Sequence, residues 1–115
     1  MQIPRESILL RIFIGESDRH EGKPLHEAIV LQARAEHLAG ATVLRGGMGF
    51  GASSRIHTSK ILRLSTDLPL VIEIVDSEEK INAFLPWLDR AMGGGLVTTE
   101  KVSVVHYRTP PSGPA

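Results

Sequence analysis

No cysteine occurs in the sequence. Disulfides, thiolate nucleophiles and cysteine-ligated zinc are thereby excluded, and the absence is neutral to favourable for a reducing cytosol. Aromatic residues are scarce, at three Phe, one Trp and one Tyr. A sheet that binds RNA by stacking bases needs aromatic rings on its central strands, and here only Phe13 falls on a plausible one. Charge of one sign is not in excess either, with thirteen basic and thirteen acidic side chains. A protein that grips phosphodiester backbones normally carries a basic surplus, so no nucleic-acid partner is expected. No apolar run approaches the roughly 20 residues that span a bilayer, so no direct membrane insertion is expected. The start, MQIPRESILLRIF, lacks the long apolar core and small-residue cleavage site of a secretory leader. A cytoplasmic location follows as the expectation.

What remains is ordinary globular composition, 42% hydrophobic and 23% charged over 115 residues, the size of one domain. Residues 1–109 are expected to form that domain and 110–115, PPSGPA with its proline and small residues, a disordered tail. From Ser7 to Ile14 the residues Ile8, Leu10, Ile12 and Ile14 alternate with Ser7, Leu9, Arg11 and Phe13, which predicts a strand. GESDRHEG is a polar loop. From Pro24 to about Ala39 the spacing predicts a helix with Leu25, Ala28, Leu31, Ala35 and Leu38 inward, closed by Gly40. ATVLR at 41–45 reads as a short strand, and 68–75, LPLVIEIV, as another. Asp76 or Ser77 caps a second helix whose stripe is Ile81, Phe84, Leu85, Leu88 and Met92. Pro86 should bend that helix, and Gly93, Gly94 and Gly95 end it. A last strand is expected from Val97 to about Tyr107. The order βαββαβ, with right-handed crossovers, predicts an α+β, ferredoxin-like domain: a four-stranded antiparallel sheet with two helices on one face.

That fold hosts many functions. An acyl-phosphatase-like enzyme would need an arginine-bearing anion loop after the first strand, and GESDRHEG lacks the glycine-framed nest. No Ser-His-Asp spacing and no singled-out carboxylate pair argue for catalysis, so no catalytic residue is assigned. The five histidines show no metal-ligand spacing, and no metal site is assigned. The long stretch from Gly46 to about Ser59 has four glycines and no durable period. Irregular segments of that length tend to be functional. Residues 52–58 are expected to be mobile, with trypsin cutting first near Arg55. Leu9 and Phe13 place apolar area on the sheet face away from the helices, so a partner subunit is expected there.

LRGGMGFG resembles the glycine-rich start of the T-loop of PII signalling proteins. LSTDLPLVIEIVDSEEKI is similar to the PII segment returning from that loop, and GGGLVTTEKVSVVHYRT to its B-loop, last strand and arginine-bearing ending. The match is nearer still to the PII-like family known as domain of unknown function 190, over nearly the whole chain. This resemblance implies a homotrimeric regulatory protein, not an enzyme, that senses a nucleotide or other anion in clefts between subunits. An adenine nucleotide is the candidate ligand. Gly49, Gly51, Gly93, Gly94, Gly95, His106 and Arg108 are the implied ligand-binding residues. Glycine backbone can approach phosphate closely, and the strand-end cations would supply charge. Arg55, His57 and Lys60 are the implied partner-facing residues, toward a protein or membrane-transporter partner. His106 stands where PII has an arginine, and Leu96 where it has a lysine. A plainer reading makes the triple glycine a helix terminator and the protein a trimeric adaptor that binds no nucleotide.

Overall fold

The computed structural model describes residues 3–49, 57–58 and 68–108. Along the chain lie β1 (Glu6–Gly15), β2 (Arg19–His20), β3 (Lys23–Pro24), α1 (Leu25–Ala35), β4 (Thr42–Arg45), β5 (Met48–Gly49), β6 (His57–Thr58), β7 (Pro69–Asp76), α2 (Glu78–Ala91) and β8 (Leu96–Ser103). Four strands form one sheet in the order β4-β7-β1-β8, every neighbour antiparallel. The expected ferredoxin-like domain is the observed one.

Strand periodicity explains how the sheet takes its helices. Leu10, Ile12 and Ile14 of β1 and Leu70, Ile72 and Ile74 of β7 share a face and are buried against α1 and α2. The register Leu10↔Ile74, Ile12↔Ile72 and Ile14↔Leu70 aligns these residues across the central pair. Burial of a side chain of this size stabilises by about 1.5–3 kcal/mol, so a one-residue slip of either strand, which would turn its three outward, is strongly disfavoured.

The second helix follows the sequence closely. The Ser77 side chain accepts from Lys80 N at 3.2 Å, Glu78 and Glu79 occupy the first turn, and Ile81, Phe84, Leu88 and Ala91 are buried. The helix runs unbroken through Pro86, which is exposed. The backbone hydrogen bond it deletes is therefore lost on the solvent side, where water can replace it.

The first helix departs from expectation in phase and in ending. Leu25, Ala28, Ile29 and Ala33 are its buried residues. Leu31 and Ala35, expected inward, are exposed. Apolar residues surround much of this helix, so spacing alone admits two stripes, and its rotation against the sheet selects between them. Gly40 does not close the helix. His37 takes the left-handed conformation at φ 62, with His37 N bonded to Arg34 O at 3.0 Å and Leu38 N to Ala33 O at 3.0 Å. Those paired bonds are a Schellman ending, with Leu38 folded back into the core.

Two further corrections concern loops and lengths. Within the stretch expected to be plain loop, β2 and β3 form a tiny hairpin. Glu21 at φ 50 and Gly22 at φ 81 give it the two left-handed residues of a type I′ turn. His20 of this hairpin meets Trp87 edge-on at 5.7 Å and so pins it to α2. The last strand stops at Ser103, not near Tyr107. Its partner β1 begins at Glu6, opposite Ser103, and only one more bond, Val104 N to Arg5 O at 2.6 Å, extends the ladder. A strand lasts only as long as its neighbour does.

Candidate functional site

The sheet has two ends, and the candidate residues are divided between them. At the first end lie the close of β1, the start of β7, the close of β4 and the start of β8. Gly46 follows β4 directly, and its N–H donates to Pro69 O at 2.8 Å. A Cβ on Gly46 would lie 2.9 Å from Pro69 Cγ, so the strand crossing here is close. The Glu16 carboxylate pairs with Arg45, and Glu16 N donates to Leu68 O at 2.8 Å. The β4–β7 connection therefore leaves from a tied base. Just beyond it, Gly49 and His57, both expected to be functional, are cross-strand partners in the short β5–β6 pair. Gly51, Arg55 and Lys60 lie outside the described residues, as do residues 52–56 of the segment expected to be mobile.

The triple glycine lies at this same end. Gly95 has φ +115, and a Cβ there would come within 2.5 Å of Phe13 O and 2.8 Å of Met92 Cε. Glycine at 95 is thus required simply to carry the chain from α2 over the end of β1. Gly93 meets nothing within 4 Å. Gly93, Gly94 and Gly95 border an open groove of about 370 Å³, together with Leu85, Leu88, Asp89, Met92 and Val97. Its charged residue is a carboxylate, and none of these lining residues is a cation.

His106 and Arg108 lie at the opposite end, past the close of β8, and both are exposed. The eight residues of β8 separate them from Gly95, a span of roughly 25 Å at the rise of an extended strand. Within one chain the structure therefore gathers Gly49, His57 and Gly93–Gly95 toward one end and sets His106 and Arg108 at the other. Because the last strand ends at Ser103, His106 sits on an irregular segment instead of the strand expected to carry it, and Arg108 lies five residues past the strand's end.

That second end has its own network, which the sequence did not announce. Asp76 is 2% exposed and uses both carboxylate oxygens: Oδ1 accepts from Ser77 N at 2.7 Å and Oδ2 from Ala39 N at 2.8 Å. Lys80 Nζ donates to His37 O at 2.8 Å, and Tyr107 Oη donates to Ala39 O at 3.3 Å. The turn after α1 is thereby held by β7, by α2 and by the C-terminal segment at once.

The sheet face away from the helices is the third feature. Leu44, Val71, Phe13 and Leu96 are successive cross-strand partners over all four strands and form an apolar row. Leu44 and Leu96, at its two edges, are 47% and 56% exposed. Beside this row Arg11 donates from Nε to Glu73 at 2.9 Å and from Nη1 to Glu100 at 2.8 Å. The hydrogen bond to Glu73 is the main cause that raises the Arg11 pKa further above its ordinary value; desolvation, next in size, opposes it, and the charges of Glu100 and Glu73 and the hydrogen bond to Glu100 add to the rise. The signal for this triad was in the sequence: Arg11 and Glu73 interrupt otherwise apolar alternations.

Taken together, the sheet order and the two helices on one face define a ferredoxin-like α+β fold. The chain belongs to the DUF190 family (Uncharacterized ACR, COG1993), whose model matches residues 7–104. It is 41% identical to a UPF0166 protein of Aquifex aeolicus over 98 residues, 85% of this chain and 92% of the relative. A UPF0166 protein of Methanocaldococcus jannaschii is 40% identical over 80 residues, 70% and 73% of the two chains. Among solved structures, the chain is similar to CPII, a nitrogen regulatory PII-like protein from Thiomonas intermedia bound to ADP, AMP and bicarbonate. The TM-score is 0.64 at 15% identity, over 88% of this chain and 90% of that one. A GlnK–ATP complex from B. subtilis matches with TM-score 0.55 at 14% identity, over 89% and 86%.

Proposed function

We propose that this protein is a trimeric regulatory protein, not an enzyme, that binds an adenine nucleotide or a similar anion between subunits and presents the segment after Gly46 to a protein partner. The observation that carries the reading is the division of the site residues. A glycine turn without cations borders a groove at one end of the sheet, and His106 and Arg108 stand exposed at the other, where Arg34, His37 and Ala39 line a second groove of about 400 Å³. Within one chain the glycine turn and these two cations lie at opposite ends, whereas a Gly93–Gly95 turn from one chain and His106 with Arg108 from its neighbour would complete each other. Backbone N–H groups and a guanidinium would then share the phosphate oxygens through charge-assisted hydrogen bonds. The open sheet face supports the assembly, since an apolar row crossing four strands is the kind of surface that finds a second copy. The ligands named for CPII and GlnK suggest the ligand class for this chain. Among the described residues no helix is long and apolar enough to cross a membrane. Any transporter partner would therefore be met through the 46–67 segment, with a cytoplasmic setting as part of the proposal.

One observation favours a second reading, a trimeric adaptor without nucleotide. The charged residue lining the glycine groove is Asp89, which repels phosphate. Isothermal titration with ATP, ADP, AMP and cyclic dinucleotides, alongside light scattering, separates the two. The expected result is a trimer that takes up an adenine nucleotide. A trimer that binds none of them leaves the adaptor, and a stable monomer at micromolar concentration removes both readings.

A further inference from the structure

The geometry points to Tyr107 as a positioning residue that aims His106 and Arg108 at the anionic ligand. This rests on the function proposed above, in which those two cations serve a neighbouring chain's glycine turn.

Residues 104–108 have no regular secondary structure. They have nonetheless two fixed points. Val104 N is bonded to Arg5 O at 2.6 Å, which extends the β8–β1 ladder by one step. Tyr107 Oη donates to Ala39 O at 3.3 Å. Ala39 is a firm acceptor because its own N–H is bonded at 2.8 Å to Asp76, a carboxylate that is 2% exposed and whose other oxygen holds Ser77 N at the cap of α2. A further tie, from Lys80 Nζ to His37 O, fixes the same turn. The chain of contacts therefore runs from the start of α2 through Asp76 and Ala39 to the phenol.

Residues 105–108 are all exposed, Tyr107 far less than Val105. Val105 is 87% exposed, and Tyr107 is 38% exposed where it reaches back to the turn. His106 and Arg108 flank Tyr107 and are exposed. Tying Tyr107 to the turn therefore restricts the directions open to the two cations on either side of it. Without the anchor, a short irregular segment samples many directions, and each ligand encounter must order it again. Tyr107 touches no ligand in this account. Its effect is exerted through His106 and Arg108.

The test measures ADP binding by the full-length parent, Tyr107→Phe, Arg108→Ala and the double variant, with amide hydrogen exchange over residues 104–108. Tyr107→Phe keeps the ring, so folding and trimer content should not change. The phenol's hydrogen bond is neutral, and its loss should weaken ADP binding about fivefold. In the Arg108→Ala background the same change should weaken it by clearly less, because the residue to be aimed is gone. Amides 105–108 should exchange faster in Tyr107→Phe with or without ADP. Unchanged exchange, unchanged ADP affinity, or an effect that adds in full to that of Arg108→Ala each overturns the proposal while leaving the function standing. A parent trimer that binds no ADP, with exchange still faster in Tyr107→Phe, overturns the nucleotide reading instead, and the positioning role falls with it.

Discussion

The two faces of the sheet are written by the same strands, one residue out of phase, and they differ in kind. The covered face is uniform. Leu10, Ile12, Ile14, Leu70, Ile72 and Ile74 are each no more than 6% exposed and carry no charge. The open face interleaves Leu9, Phe13, Val71 and Val75 with Arg11 and Glu73, all partly exposed. The first composition suits permanent enclosure by helices of the same chain. The second suits a surface that stays soluble while open and that the proposed assembly would cover.

Substitutions on the two faces should therefore fail differently. The largest effect is expected from Ile72→Ala on the covered face, which leaves a cavity between β7 and the helices and should lower unfolding free energy by about 2–5 kcal/mol. Urea unfolding checks this, and a loss within error would mean that the core is not packed as described. Phe13→Asp is expected to leave the circular dichroism spectrum intact and to raise the dissociation constant of the assembly about thirtyfold or more, as loss of a central contact does. Sedimentation at micromolar concentration reads the outcome, and an unaltered trimer would show that subunits meet elsewhere. A smaller change belongs to neither face. Ser77→Ala removes the side-chain cap of α2 and should cost about 1 kcal/mol in the same urea experiment, without altering assembly.

The covered face was legible in the sequence because period-two alternation has one solution once a strand is apolar on one side. The α2 stripe was legible too, with Ser77 and the two glutamates marking its start. For α1 the pattern was ambiguous, since Val30, Leu31 and Ala35 compete with Ile29 and Ala33, and only the sheet decides which set is buried. The helix end at His37 was hidden, because a left-handed histidine has no strong sequence signature beside a glycine three residues later. The end of β8 depended on where β1 begins, which is a property of two segments and not of one. The same limit applies to the site. The glycine turn could be found from composition, whereas the distance between it and Arg108 follows from pairing across the whole sheet. Asp76, read as a helix cap, also ties down the turn that receives Tyr107, a contact spanning 37 residues to Ala39.

The central claim is that a ligand site is completed by two chains, and mixing variants tests it most directly. One chain carries Gly94→Val, which puts bulk into the proposed phosphate turn, and the other carries Arg108→Ala. Each homotrimer should bind ADP about ten- to a hundredfold more weakly than the parent. After unfolding and refolding together in equal amounts, about a quarter of the clefts in randomly mixed trimers should unite an intact turn with an intact arginine. The account predicts that this fraction of parent-like ADP sites appears in the mixture, as read by isothermal titration. A mixture of verified mixed trimers that binds no better than the two variants do separately would contradict it.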